Sequence, residues 1–238
     1  MKLVEFDRSN LTDSERYYIE GLTFIPVNSS RVLPILKDLW QGKIKEGFSW
    51  EQSLNSYTLR PTVYDYDEAF IDLVVDGNLP YLLDQITCRN LTLAHIQVVK
   101  TDPGRSYQDW HRDTYQFGDN PVVGAMPPAH KIIFYPEFEG HEPRLKYILG
   151  SHRTMINDQK FDEMLIRKYE TNALGTSNDH ALLFDTSLLH GVIPDVNPKG
   201  SIRVMYSFVD PQQYDRRFKG KENHDRLKKI FEDKAYPL

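Results

Sequence analysis

Cysteine is nearly absent from this chain: Cys88 is the one example in 238 residues. No internal disulfide can form, and nothing points to an oxidising compartment. Its side chain is expected to fill a small buried apolar position. Long hydrophobic runs are missing too, since no stretch approaches the roughly 18 apolar residues that a membrane helix needs. Near the start, Glu5, Asp7, Asp13, Glu15 and Glu20 interrupt the apolar segment that a signal peptide requires. These absences predict a cytoplasmic protein with no membrane partner. Positive charge is not in excess either. The formal net charge is −5, which argues against the basic footprint of a nucleic-acid binder. Internal repeats, low-complexity tracts and flexible linkers are also lacking, so one domain over residues 1–238 is expected.

What is present is a globular composition. Hydrophobic residues make up 40% and aromatics 12% of the chain, enough apolar surface to offset the entropy of ordering it. Residues 1–89 read as mostly helical. Thr12-Asp-Ser-Glu15 fits a capping box, with a helix running to Glu20 and stopping at Gly21. Leu22–Val27 read as a strand, a second helix capped by Ser30 runs to Gly42, and a third spans about 67–75. From residue 90 to 210 the period changes to that of strands, over Thr92–Lys100, Tyr107–Tyr115, Lys131–Tyr135, Leu145–Leu149, Ala181–Phe184 and Ile202–Val209. Asp102-Pro-Gly104, Pro127-Pro128 and Asn197-Pro-Lys-Gly200 punctuate them as turns. A helix over about 158–170 interrupts the series. Residues 211–238 are expected to form a charged helix with a solvated face. Short strands with such turns predict a sandwich or barrel.

The chemistry concentrates in Trp110-His111-Arg112-Asp113. At strand spacing His111 and Asp113 share one face while Arg112 faces away. An imidazole and a carboxylate side by side can give two ligands to one divalent metal, and His190 in Leu188-Leu-His-Gly191 is the candidate third. Two histidines and one carboxylate form the facial triad of non-haem Fe(II) oxygenases, which leaves adjacent positions open for a bidentate cosubstrate and O2. A His-x-Asp pair alone is weak evidence. Arg203 strengthens it, because a guanidinium one strand beyond the last ligand can hold a far carboxylate through two parallel hydrogen bonds. Arg203 shares strand parity with Met205 and Ser207 in a largely apolar run.

With those residues in place, the chain resembles the phytanoyl-CoA dioxygenase family of Fe(II)/2-oxoglutarate-dependent oxygenases. Leu11–Glu15 through Gly21 and Ile25-Pro26 resembles the family's opening helix and strand. Trp110–Asp113 resembles its Trp-His-x-Asp motif, and Leu145–His152 the stretch ending Pro-Gly-Ser-His, with Leu149 in place of the proline. Asp185–His190 followed by Asn197–Arg203 resembles the segment with the last histidine and the cosubstrate arginine. The resemblance implies a mainly β fold, a double-stranded β-helix (jelly-roll, cupin-like) core with flanking helices. It implies Fe(II) on His111, Asp113 and His190, and 2-oxoglutarate held by Arg203. Met205 stands where relatives often have a hydroxyl residue, so another donor must assist Arg203; Ser207 and Gln97 are the candidates.

The expected reaction consumes O2 and 2-oxoglutarate, releases succinate and CO2, and hydroxylates an unactivated C–H bond of a small-molecule substrate. Asp113 argues against halogenation, because halogenating relatives lack that carboxylate. Rival readings are a hydroxylase of a protein side chain, a non-catalytic β-helix ligand-binding module, and a cupin-like Zn or Mn enzyme in which Arg203 has no duty. His152 is read as fixing a loop beside the site and His95 as a core residue. His130, His141, His180 and His224 are read as solvated.

Overall fold

The computed structural model describes residues 10–43, 48–51, 56–59, 63–105, 108–113, 129–154 and 158–236. Thr12 opens the first helix, α1 (Asp13–Glu20), through the predicted box: the Glu15 amide donates to Thr12 Oγ1, and the Glu15 carboxylate accepts from the Thr12 amide. Gly21 closes it with φ 88°, a left-handed conformation that glycine adopts at no steric cost. Strand β1 (Leu22–Pro26) follows, then α2 (Val32–Trp40). Ser30 does not cap α2 with its side chain; the Ser29 carbonyl takes the first amides instead.

The N-terminal third is less helical than its sequence suggests, because it also holds β2 (Phe48–Glu51) and β3 (Ser56–Leu59). Four short helices complete it up to residue 89: α3 (Val63–Tyr66), α4 (Ala69–Val75), a single 3₁₀ turn at Asp76–Asn78, and α5 (Leu79–Thr87). Cys88 ends α5 with φ 53° and is exposed, contrary to the buried position expected of it.

The strand-rich remainder contains β4 (Thr92–Thr101), β5 (His130–Phe134), β6 (Arg144–Tyr147), β7 (Asn172–Leu174), β8 (His180–Asp185), β9 (His190–Ile193) and β10 (Ser201–Val209). Helix α6 (Gln159–Lys168) interrupts them, capped by Asp158, and α7 (Pro211–Arg217) and α8 (Glu222–Ala235) end the described chain. Among the described residues, seven strands form one antiparallel sheet in the order β1-β8-β5-β10-β4-β3-β2, and three form a second, β7-β6-β9. These two facing sheets are the jelly-roll architecture.

Strand alternation divides the apolar residues between two layers. One set, including Ile132, Phe134, Leu183, Val204, Tyr206 and Phe208, packs outward under the helices. The tail joins this layer: Leu227 and Phe231 of α8 are buried, and Phe231 meets Phe208 at 5.8 Å between ring centroids. It is an amphipathic helix rather than a wholly solvated one. The other set, including Val99, Ile133, Tyr135, Leu145, Leu182, Phe184, Val192 and Met205, fills the space between the sheets. Burying each large aliphatic or aromatic side chain stabilises the fold by roughly 1.5–3 kcal/mol.

Three histidines differ from expectation. His130 is buried against Tyr17, whose hydroxyl bonds its Nδ1. His141 is buried, with Nδ1 donating to the Pro136 carbonyl at 2.8 Å and Nε2 accepting from the Ile202 amide at 3.0 Å. His95 is exposed, on β4 opposite Ser207.

His152 fixes a loop, as read. Its Nε2 donates to the Tyr18 carbonyl at 3.0 Å, and its ring lies so close over Gly21 that a Cβ there would meet Nδ1 at 2.5 Å. Burial holds this imidazole neutral, with its pKa lowered to about 4, helped by the charges of Arg153 and Arg112. The unfolded chain takes up a proton near pH 6.5 that the folded chain refuses, so stability is lost as pH falls from there toward 4. Urea denaturation between pH 7 and 5 is expected to show a steeper loss for the wild type than for His152→Gln, by up to about 1.4 kcal/mol per pH unit.

Candidate metal centre

Of the predicted strand Tyr107–Tyr115, the ends at 107, 114 and 115 lie outside the described residues. Residues 108–113 form no strand and make one isolated antiparallel bridge, His111 to His190. The His111 amide donates to the His190 carbonyl at 2.8 Å and the His190 amide to the His111 carbonyl at 3.0 Å. Residues directly opposite each other in such a pair project to the same side. The two imidazoles accordingly lie with ring centroids 4.3 Å apart. Two residues further on, the Asp113 amide donates to the Thr186 carbonyl at 3.0 Å, which brings its carboxylate to the same place.

Gly191 makes this approach feasible. A Cβ at that position would lie 3.1 Å from the Asp109 backbone and 2.7 Å from Lys146 Cε. The glycine is there for close contact between two chain segments.

The ligand atoms of His111, Asp113 and His190 lie within 4.8 Å of one another. His111 Nε2 is 3.7 Å from Asp113 Oδ1, and His190 Nε2 is 3.5 Å from Oδ2. One ion with donor distances of about 2.1 Å can bridge gaps of this size. Both rings are set for coordination by their backbone contacts. His111 Nδ1 lies 2.6 Å from the Asp109 carbonyl and His190 Nδ1 2.8 Å from the Leu188 carbonyl. A carbonyl can only accept, so each Nδ1 carries the proton and each Nε2 turns its lone pair inward.

Electrostatics agree. Burial lowers the His190 pKa to about 3, and His111 beside it adds to the effect. Burial likewise lowers that of His111, against the pull of Asp113. Burial alone would raise Asp113, but the Lys131 ammonium and the two imidazoles outweigh it and hold the carboxyl at about 2. At neutral pH the site offers two neutral nitrogens and one ionised carboxylate, with no proton to displace. This donor set fits a divalent metal such as Fe(II).

Three further residues of the site escaped the sequence reading. Arg112 does face away from the ligands, but into the protein, where it is 1% exposed. Its Nε and Nη2 grip the Asp162 carboxylate at 2.8–3.0 Å, and its Nη1 donates to the carbonyls of Ser151 and Ser187. Asp162 lies on α6, fifty positions away, so no local pattern announces the pair. Lys131 sits at an inward position of β5 with Nζ 2.9 Å from Asp113 Oδ1. Its signal was a lone lysine in the apolar run Lys131–Tyr135. Tyr135 is buried between the sheets, and its hydroxyl has no hydrogen-bond partner among the described residues.

Arg203 is fully buried on β10, where its charge is felt by His111, Tyr135 and His141. Gln97 stands on β4 opposite Met205, and its Nε2 donates to Thr58 Oγ1 at 3.4 Å. Ser207 lies on β10 between Lys131 and His95.

No family model and no curated protein matches the sequence. Solved structures do match the fold. EctD from S. alaskensis with bound Fe is 15% identical, with a TM-score of 0.63 over 87% of this chain and 79% of that one. AviO1 from Streptomyces viridochromogenes Tue57 is 16% identical, with a TM-score of 0.59 over 88% and 97%. The epimerase SnoN, solved with Fe3+, alpha ketoglutarate and nogalamycin RO, is 10% identical, with a TM-score of 0.65 over 83% and 82%. The fold is therefore the jelly roll these enzymes share. No helix among the described residues is long and apolar enough to cross a membrane.

Replacing Asp162 with Ala leaves the Arg112 guanidinium buried without its counter-charge, at a cost of about 3–5 kcal/mol. Denaturation should report that loss, and Mn(II) affinity should fall with it because Arg112 lies between two ligands. Unchanged stability would mean that the clamp carries no energy.

Proposed function

We propose that this chain is an Fe(II)- and 2-oxoglutarate-dependent oxygenase, in the phytanoyl-CoA dioxygenase-like branch, that hydroxylates an unactivated C–H bond of a small-molecule metabolite. The observation that carries the reading is the convergence of His111, Asp113 and His190 on one buried point, with Arg203 buried deeper in the same barrel. The fold likeness to EctD and SnoN, solved with iron and with 2-oxoglutarate (alpha ketoglutarate), supports it.

His111, His190 and Asp113 would hold the metal, which when bound supplies neighbouring open positions for a chelating keto acid and O2. Arg203 would hold the distal carboxylate of 2-oxoglutarate. A hydroxyl partner would come from just past the end of the neighbouring strand β5. Val204 pairs with Phe134, so the next residues, Arg203 and Tyr135, lie side by side on the inward face. Burial raises the Tyr135 pKa to about 12 despite the nearby Arg203 charge, which keeps its hydroxyl protonated as a donor. In this reading Tyr135 takes the duty that Met205 cannot perform, ahead of Gln97 and Ser207. The apolar lining from Phe184, Leu188, Val192 and Met205 keeps water out of the reacting space.

Anaerobic addition of Fe(II) and then 2-oxoglutarate should produce a weak visible charge-transfer band, and air should then yield succinate. His190→Ala should lose the band, and Arg203→Ala should raise the 2-oxoglutarate concentration needed for it by tenfold or more. A wild-type protein that gives neither band nor succinate would falsify the reading.

A further inference from the structure

The ammonium of Lys131 keeps Asp113 ionised in the metal-free centre, and neither metal nor cosubstrate binding assigns it a partner once that carboxylate is taken. Lys131 is anchored on β5, between Ser207 of β10 and Phe184 of β8 in the register. Phe184 packs against His190 at 4.8 Å between ring centroids. The lysine side chain is 17% exposed while Asp113, which it pairs, is 1% exposed. It thus reaches the buried ligand from the open side of the site.

A metal among the three ligands competes for the same carboxylate. The ion draws charge from Asp113 and repels the ammonium beside it. The strand fixes the lysine stem, so the ammonium stays near the ion and needs another anion. Lys131 Nζ lies 2.9 Å from Asp113 Oδ1, and its side chain is the partly exposed member of that pair. The anion that takes over the ammonium therefore comes from the side on which Lys131 is open to a ligand.

We propose that Lys131 is the specificity-determining residue for the primary substrate: its ammonium, held by Asp113 in the metal-free protein, passes to a carboxylate of the substrate once a metal takes Asp113. This rests on the oxygenase reading above and narrows its substrate to a carboxylic acid presented beside the metal. An amide of the same shape offers the ammonium no counter-charge.

Two measurements test the exchange. Calorimetric titration with Mn(II) should show Lys131→Met binding the ion at least tenfold more tightly than the wild type, because a competitor for Asp113 is gone, with Lys131→Arg close to the wild type. Equal or weaker binding by Lys131→Met would overturn the handover. The second uses protein saturated with Mn(II) and N-oxalylglycine, a stable analogue that fills the keto-acid site. Proton NMR line broadening by the bound Mn(II) is then compared for phenylacetate against phenylacetamide and for hexanoate against hexanamide.

The acids should broaden several-fold more than their amides with the wild type and with Lys131→Arg, and lose that preference with Lys131→Met. Equal broadening of acids and amides by the wild type, or a preference that survives in Lys131→Met, would overturn the substrate assignment. Failure of the wild type to bind Mn(II) or N-oxalylglycine at all would overturn the oxygenase reading, and this inference with it.

Discussion

The pair of backbone hydrogen bonds between His111 and His190 is the constraint on which the centre depends. It places two imidazoles opposite each other on one side of the chain with no help from a metal. The rest of the local structure protects that bridge. Gly191 lets the segments approach, the Asp113 amide bonds to Thr186, and Arg112 ties the segment to α6 and to the carbonyls of Ser151 and Ser187. A site so built is organised before its ion arrives, which lowers the entropic cost of binding it.

Alternation along the strands then separates two tasks. Outward residues of β5, β8 and β10 bury the helices and stabilise the fold. Inward residues of the same strands include Lys131, Arg203 and Ser207, with Tyr135 just past the end of β5, beside apolar neighbours. Burying charge is costly unless it is paired, and two of these charges are: Lys131 pairs with Asp113 and Arg112 with Asp162.

Much of this was legible in the sequence. The capping box, the glycine stop at residue 21, and the strands β4, β5, β8 and β10 follow from local period and turn chemistry, and the structure holds them. The candidate ligands were named from the spacing of His111 and Asp113 and the order of later motifs, and the structure brings those two side chains and His190 together. What failed was tertiary. The segment around His111 looked like a strand because its residues suit one, yet it finds a partner only at a single bridge. His130 and His141 looked solvated because turns flank them, while distant Tyr17 and Ile202 supply the bonds that allow their burial. Cys88 looked buried by residue type, but the left-handed helix end turns it outward. Arg112 needed knowledge of Asp162, and Lys131 of Asp113. Such pairs are set by the fold and leave no local pattern.

The central claim is that three side chains from two distant segments bind one divalent ion. Anomalous diffraction at the iron edge, from crystals loaded anaerobically with Fe(II), tests it most directly. The account predicts one strong peak per chain, bonded to the Nε2 atoms of residues 111 and 190 and to the carboxylate of residue 113. A peak elsewhere, or those three side chains left without an ion at saturating iron, would contradict it.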